Sequence, residues 1–300
     1  MKNTGIIIIL FAQVALTWGT TWMAMKIAVS TVPPIYATGL RFLLASPLLI
    51  LLSFFSRTPL LFPKGDRIFQ FWICIAYFAI PFTLMIYGER YVNSALAAII
   101  FANMPVAILM SSLLLLKERV SIRQLAGLIL GVSSLSAILW LESTNNREIQ
   151  WPGVLALLTA VLIHAFMYVL CKKRGQQVSV LTYNALPCLG AGLLLLFLGS
   201  FIEMPDTSLF SVSSLSALAY LGVIASVCGI MAYFALQKYS SAFQASLVFL
   251  VFPLIAIGIE KIFENTTISQ TSLWLLLPLL IGLLLTLYSQ KADSLKKAMQ

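Results

Sequence analysis

Long charge-free runs alternate with short charged connections along the whole chain. The runs cover about Gly5–Ala28 (with Lys26 near its end), Pro34–Phe54 (broken by Arg41), Ile68–Gly88, Val92–Leu116, Gln124–Leu141, Trp151–Cys171, Val178–Ile202, Val212–Gln237, Ser241–Ile262 (with Glu260 and Lys261 at its end) and Gln270–Gln290. A stretch of 18 or more apolar residues crosses the hydrocarbon layer as a helix, at about 1.5 Å of rise per residue. The pattern therefore predicts an all-α membrane protein with ten transmembrane helices. The connections are too short to hide a soluble domain.

The pattern also repeats. Tyr91, Ala97, Phe101 and Pro105 recur as Tyr239, Ala245, Phe249 and Pro253, all at an offset of 148 residues. At an offset of 146, Trp18, Trp22 and Lys26 fall against His164, Tyr168 and Lys172. Two similar halves of five helices each must enter the membrane in opposite senses, because five is odd; this is an inverted repeat. The expected units are a first five-helix repeat over 5–141, a second over 151–290, and a cytoplasmic tail over 291–300.

Charge fixes the orientation. With the N-terminus inside, 14 of the 19 Lys and Arg residues fall in inner segments, as the preference of basic residues for the cytoplasmic side requires. The prediction is N-in and C-in. Lys117-Glu118-Arg119 ends the fourth run on the inside, whereas the matching end of the ninth reads Phe263-Glu264-Asn265, the loss of basic residues that inversion demands. The net charge of +9 is thus explained by topology, and no nucleic-acid partner is expected. The four cysteines lie in apolar runs without a C-x-x-C pair and read as small buried hydrophobes. Lys2 and the apolar run after it read as an uncleaved first helix.

Composition excludes most chemistry. With one histidine, His164, no H-E-x-x-H zinc site is possible, and neither a G-x-S-x-G elbow nor a P-loop is present. Asp66, Asp206 and Asp293 fall in loops or the tail, while Glu89, Glu118, Glu260 and Glu264 fall at helix ends. No metal, no cofactor and no enzymatic activity are expected.

Neutral polar and aromatic groups remain at depth. Trp18 lies too deep for the interfacial belt, Trp22 is one turn further on the same face, and Gly19 allows close helix approach. His164 lies mid-helix. Asn103 precedes Pro105, which frees the carbonyl of Phe101. Arg41 sits about 10 Å inside the outer end of its helix, placed to snorkel, to pair with Glu89 or Glu260, or to bind a substrate carboxylate. The candidate binding residues are Trp18, Trp22, Arg41, Phe101, Asn103, His164, Tyr168, Asn184 and Gln244. The candidate hinges are Gly19, Pro81, Pro105 and Pro253.

At these residues the chain resembles the EamA-domain family of the drug/metabolite transporter superfamily. The resemblance rests on Trp18-Gly19-Thr20-Thr21-Trp22, on Arg41-Phe42-Leu43-Leu44-Ala45, on Ser94-Ala95 to Pro105, and on Gln124 with Gly127. Lys117 stands where the family has the glycine of G-E-R, and the second repeat keeps only Glu264 of that motif. The resemblance covers the whole chain and implies a multi-pass bacterial inner-membrane protein that exports amino acids or related metabolites by alternating access. An exchanger of nucleotide-sugar or nucleoside-type solutes, using Arg41, Lys26 and Lys172 for phosphates, is the alternative. From another class, a membrane protein that binds a ligand or lipid without transport would also fit. The expected partners are a small-molecule substrate and membrane lipids, with a monomer as the working assembly and a homodimer as the other option.

Overall fold

The computed structural model describes residues 4–89, 91, 97, 100–116, 121–142, 151–174, 178–263 and 270–298. Among them there is no strand. Six helices are long and apolar enough to cross a membrane, namely α1 (Thr4–Ala28), α2 (Pro34–Phe55), α3 (Lys64–Gly88), α6 (Trp151–Arg174), α7 (Val180–Ile202) and α8 (Val212–Tyr239). Shorter apolar helices fill the intervals. They are α4 (Ile100–Leu115), α5 (Ile122–Glu142), α9 (Ala242–Ser246 continued by Val248–Phe263) and α10 (Gln270–Ala298). The Lys117-Glu118-Arg119 and Glu264-Asn265 ends, Ser94-Ala95, and the side chains of Glu89 and Glu260 lie outside the described residues.

Several helices depart from a plain rod. α4 is interrupted by a turn at Asn103, whose N–H donates to the Ile100 carbonyl at 3.1 Å, three residues back. Pro105 cannot donate to Phe101, and the helix restarts at Met104 with the proline in its first turn, where no such bond is needed. In α9 the break falls at Leu247 and not at Pro253. Ser241 and Gln244 form a reciprocal capping box that starts the short first piece, and the Leu247 N–H reaches only to the Gln244 carbonyl. Pro253 and Pro187 sit inside continuous helices. α3 widens into a π-helical segment over Ile73–Ala79, directly before Pro81. A proline ring clashes with the carbonyl four residues back, and a widened turn relieves that clash. α8 has its own π segment over Leu221–Ile230, with no proline in it. α10 runs on through Ala298, past Gln290, so Asp293 lies on a helix.

The tightest helix pairings cross between the two halves of the chain. α2 packs on α7, and α5 on α10. α1 packs on α9 and α8, while α6 packs on α4 and α3. Each pairing has its counterpart five helices on, so the packing is two-fold. The seam between α5 and α10 is backbone against backbone, since a Cβ on Gly282 would lie 2.6 Å from the Gly127 carbonyl oxygen and 2.8 Å from the Gly131 nitrogen. Small residues at such a crossing allow the close approach that holds helices together in lipid. Large apolar side chains such as Phe54, Phe55, Leu114 and Trp151 point outward. That arrangement suits a lipid surround, as water would penalise it. Cys74, Cys171 and Cys188 are buried as expected, whereas Cys228 is exposed.

Candidate functional site

The pairing pattern divides the core into two three-helix clusters of mixed origin, α1 with α8 and α9, and α6 with α3 and α4. A cavity of about 60 Å³ lies between them. The first cluster lines it with Trp18, Thr21, Trp22, Met25, Phe249 and Phe252. The second contributes Phe82, Met85, Phe101, His164 and Tyr168, and Arg41 of α2 closes one side. Room for a few waters falls well short of the roughly 300–1,000 Å³ of ligand sites. A wider recess of about 780 Å³ opens where α1 ends and α2 begins, between Thr31, Pro34, Thr83, Tyr87 and Glu203.

The walls are aromatic. The Trp18 ring lies 4.9 Å from Tyr233 and 5.4 Å from Phe249, centroid to centroid. Trp22 meets Phe101 edge-on at 5.8 Å and lies nearly parallel to Phe252 at 6.3 Å. Across the cavity, His164 stacks on Tyr168 at 5.6 Å and meets Phe82 edge-on at 5.1 Å. Such pairs each contribute about 0.5–1.5 kcal/mol beyond burial, enough to hold flat faces toward the cavity. The repeat-related pairs Trp18 and His164, Trp22 and Tyr168, Phe101 and Phe249 thus converge on one space.

The polar groups here are poorly matched. His164 is 3% exposed, and by strict geometry neither ring nitrogen meets a hydrogen-bond partner among the described residues. The hydroxyls of Tyr77 and Tyr233, buried in the same aromatic cluster, also lack partners. Arg41 is 2% exposed. Its Nε donates to the Ser226 hydroxyl at 2.7 Å, its Cζ lies 5.2 Å from the Phe82 ring centroid, and its Nη1 has no partner. Both π segments touch this region, through Tyr77 and Ser226, in keeping with the frequent placement of π bulges at functional sites.

Six of the nine candidate binding residues line the cavity, and three do not. Asn184 donates through Nδ2 to the Val180 carbonyl at 2.7 Å, one turn back in α7. Gln244 is committed to the capping box, with its Oε1 accepting from the Ser241 N–H at 2.6 Å. Asn103 sits at the α4 turn, outside the cavity lining. Among the hinge candidates, Gly19 marks a crossing, because a Cβ there would lie 2.7 Å from the Ile255 side chain of α9. Pro81 follows the π segment of α3, Pro105 starts the main part of α4, and Pro253 lies one residue beyond the cavity-lining Phe252. Of the phosphate-binding candidates, Lys172 is spent on the carbonyls of Gln237 and Ser240, tying α6 to the end of α8. Phe82, Met85, Met25 and Phe252 line the cavity without having stood out in the sequence, since nothing separates one apolar residue from another in so apolar a chain.

The profile of the EamA-like transporter family matches residues 5–140 and again 151–288. The chain belongs to this family, and is a multi-pass membrane protein. Protein PagO of Salmonella typhimurium is 56% identical over 282 residues, 94% of this chain and 93% of its own. A transporter of Buchnera aphidicola from Schizaphis graminum is 51% identical over 94% of each chain, and transporter YoaV of Bacillus subtilis 24% identical over 86% and 89%. A solved crystal structure matches with a TM-score of 0.80 over 95% of this chain and 98% of its own. At 16% identity that likeness speaks to the fold alone.

Proposed function

We propose that the protein is a secondary transporter that exports small amphipathic metabolites, amino acids or their close relatives, across the bacterial inner membrane by alternating access. On this reading its helices form a ten-span inverted repeat with both termini inside. The cavity between the two mixed clusters carries the proposal, because it is walled by residues at repeat-related positions. A site so placed changes its exposure when the clusters rock. Its aromatic faces suit an apolar solute body, and its few polar groups suit one small head group.

Counterflow in proteoliposomes tests it. Vesicles loaded with unlabelled phenylalanine or 3-phenylpropionate should accumulate external labelled solute transiently, and protein-free vesicles should not. Trp22→Ala removes one wall and should raise the half-saturating concentration about tenfold, the equivalent of one lost aromatic contact. Absence of substrate-dependent counterflow across a broad metabolite panel, with the protein folded, sinks the transport reading.

A further inference from the structure

Arg41 narrows the cargo. A guanidinium taken out of water needs a counter-charge, and among the described residues the groups around this one are the Ser226 hydroxyl, the Phe42 and Phe82 rings, Cys188 and Tyr77, none of them a carboxylate. Ring faces and a hydroxyl compensate such a charge only in part. No acidic side chain is among the cavity-lining residues, so the described lining carries one positive charge and no negative one. The residue at the repeat-related position, 146 residues on, is Pro187. The charge therefore belongs to one half alone and provides for a single anionic group.

We infer that the cargo is an amphipathic organic monoanion. Its carboxylate or sulfonate head sits on the Arg41 guanidinium, and its apolar body, of about the size of a phenyl ring, lies among Trp18, Trp22, Phe101, Phe249 and Phe252. This rests on the transport reading. A zwitterion would bring an ammonium for which the described lining offers ring faces, the Thr21 and Tyr168 hydroxyls and the His164 ring but no carboxylate, so the acid outranks the amino acid with the same side chain. A monoanion leaving without a proton also carries charge outward, and an inside-negative potential favours that exit by roughly tenfold for each 60 mV.

The test uses three solutes that share a phenylethyl body. Full-length protein in nanodiscs, followed by tryptophan fluorescence, is titrated at pH 7 with 3-phenylpropionate, phenylalanine and phenethylamine. The anion should bind at least tenfold more tightly than the other two. Arg41→Gln should abolish that preference and Arg41→Lys should keep part of it, with gel filtration confirming that both are folded. Equal binding of the three, or a preference that survives Arg41→Gln, overturns the inference. Complete displacement of 3-phenylpropionate by millimolar chloride also overturns it, by making the cation a site for an inorganic ion. In proteoliposomes, efflux of permanently charged 2-phenylethanesulfonate should follow an imposed potassium diffusion potential. Phenylalanine flux with no anion flux discards the inference and leaves the transport reading standing. Anion binding without flux of any solute does the reverse.

Discussion

At the scale of single residues, the polar groups divide by what they bond to. Asn184 and Gln244 looked like Arg41 and His164 in the sequence, as isolated polar groups inside apolar helices. The first two bond backbone groups next to them, though the Asn184 Oδ1 stays unmatched away from the cavity, and the last two carry their unmatched atoms beside the cavity. Composition and spacing do not reveal that difference, because it depends on which neighbours the fold brings. The aromatic part of the site was more legible. Trp18 and Trp22 sit one turn apart, and His164 and Tyr168 repeat that spacing 146 residues later. Ser241→Ala should remove one arm of the capping box, costing about 1 kcal/mol of stability. Thermal unfolding in detergent should show the loss, while cargo affinity stays unchanged. A weakened affinity at equal stability would move Gln244 and its neighbours into the site.

At the scale of elements, hydropathy located the apolar runs and failed at their interruptions. The α4 break lies close to Pro105, where the sequence put it. The α9 break is set six residues ahead of Pro253 by a hydrogen-bonded cap that hydropathy does not register. Neither π segment left a mark in the apolar pattern, since widening a turn changes hydrogen bonding and not composition. The α5–α10 seam makes a firm prediction. Leucine at Gly282 would drive a side chain into the α5 backbone near Gly127 and Gly131. Overpacking of this kind costs about 1–3 kcal/mol, so Gly282→Leu should lower the melting temperature and the amount of protein recovered from membranes. Wild-type melting in that variant would show that α5 and α10 do not meet this closely.

At the scale of the molecule, the cavity lies between clusters that mix the two five-helix halves of the sequence. The difference between clusters and halves is testable. Thr31, which follows α1, and Ser214 of α8 come from different halves but sit at the ends of one cluster, with their hydroxyls 2.8 Å apart. In a Cys228→Ser background, the Thr31→Cys, Ser214→Cys pair should cross-link on oxidation and still support counterflow, because the bond joins parts that move together. Arrest on oxidation, reversed by reductant, would mean that the sequence halves are the moving bodies. Lys172, tying α6 to the end of α8, bridges the clusters themselves.

The glycine seam between α5 and α10 also has a consequence in time. α10 is the last of these helices to be synthesised, yet it supplies the main surface against which α5 rests. During translation α5 must wait in the bilayer with its glycine groove facing lipid, while α1 and α2 likewise wait for α9 and α7. Assembly is therefore completed only when α10 arrives. A nascent chain cut short before Gly282 would display an unfilled groove, a mark by which membrane quality control can tell an unfinished molecule from a finished one.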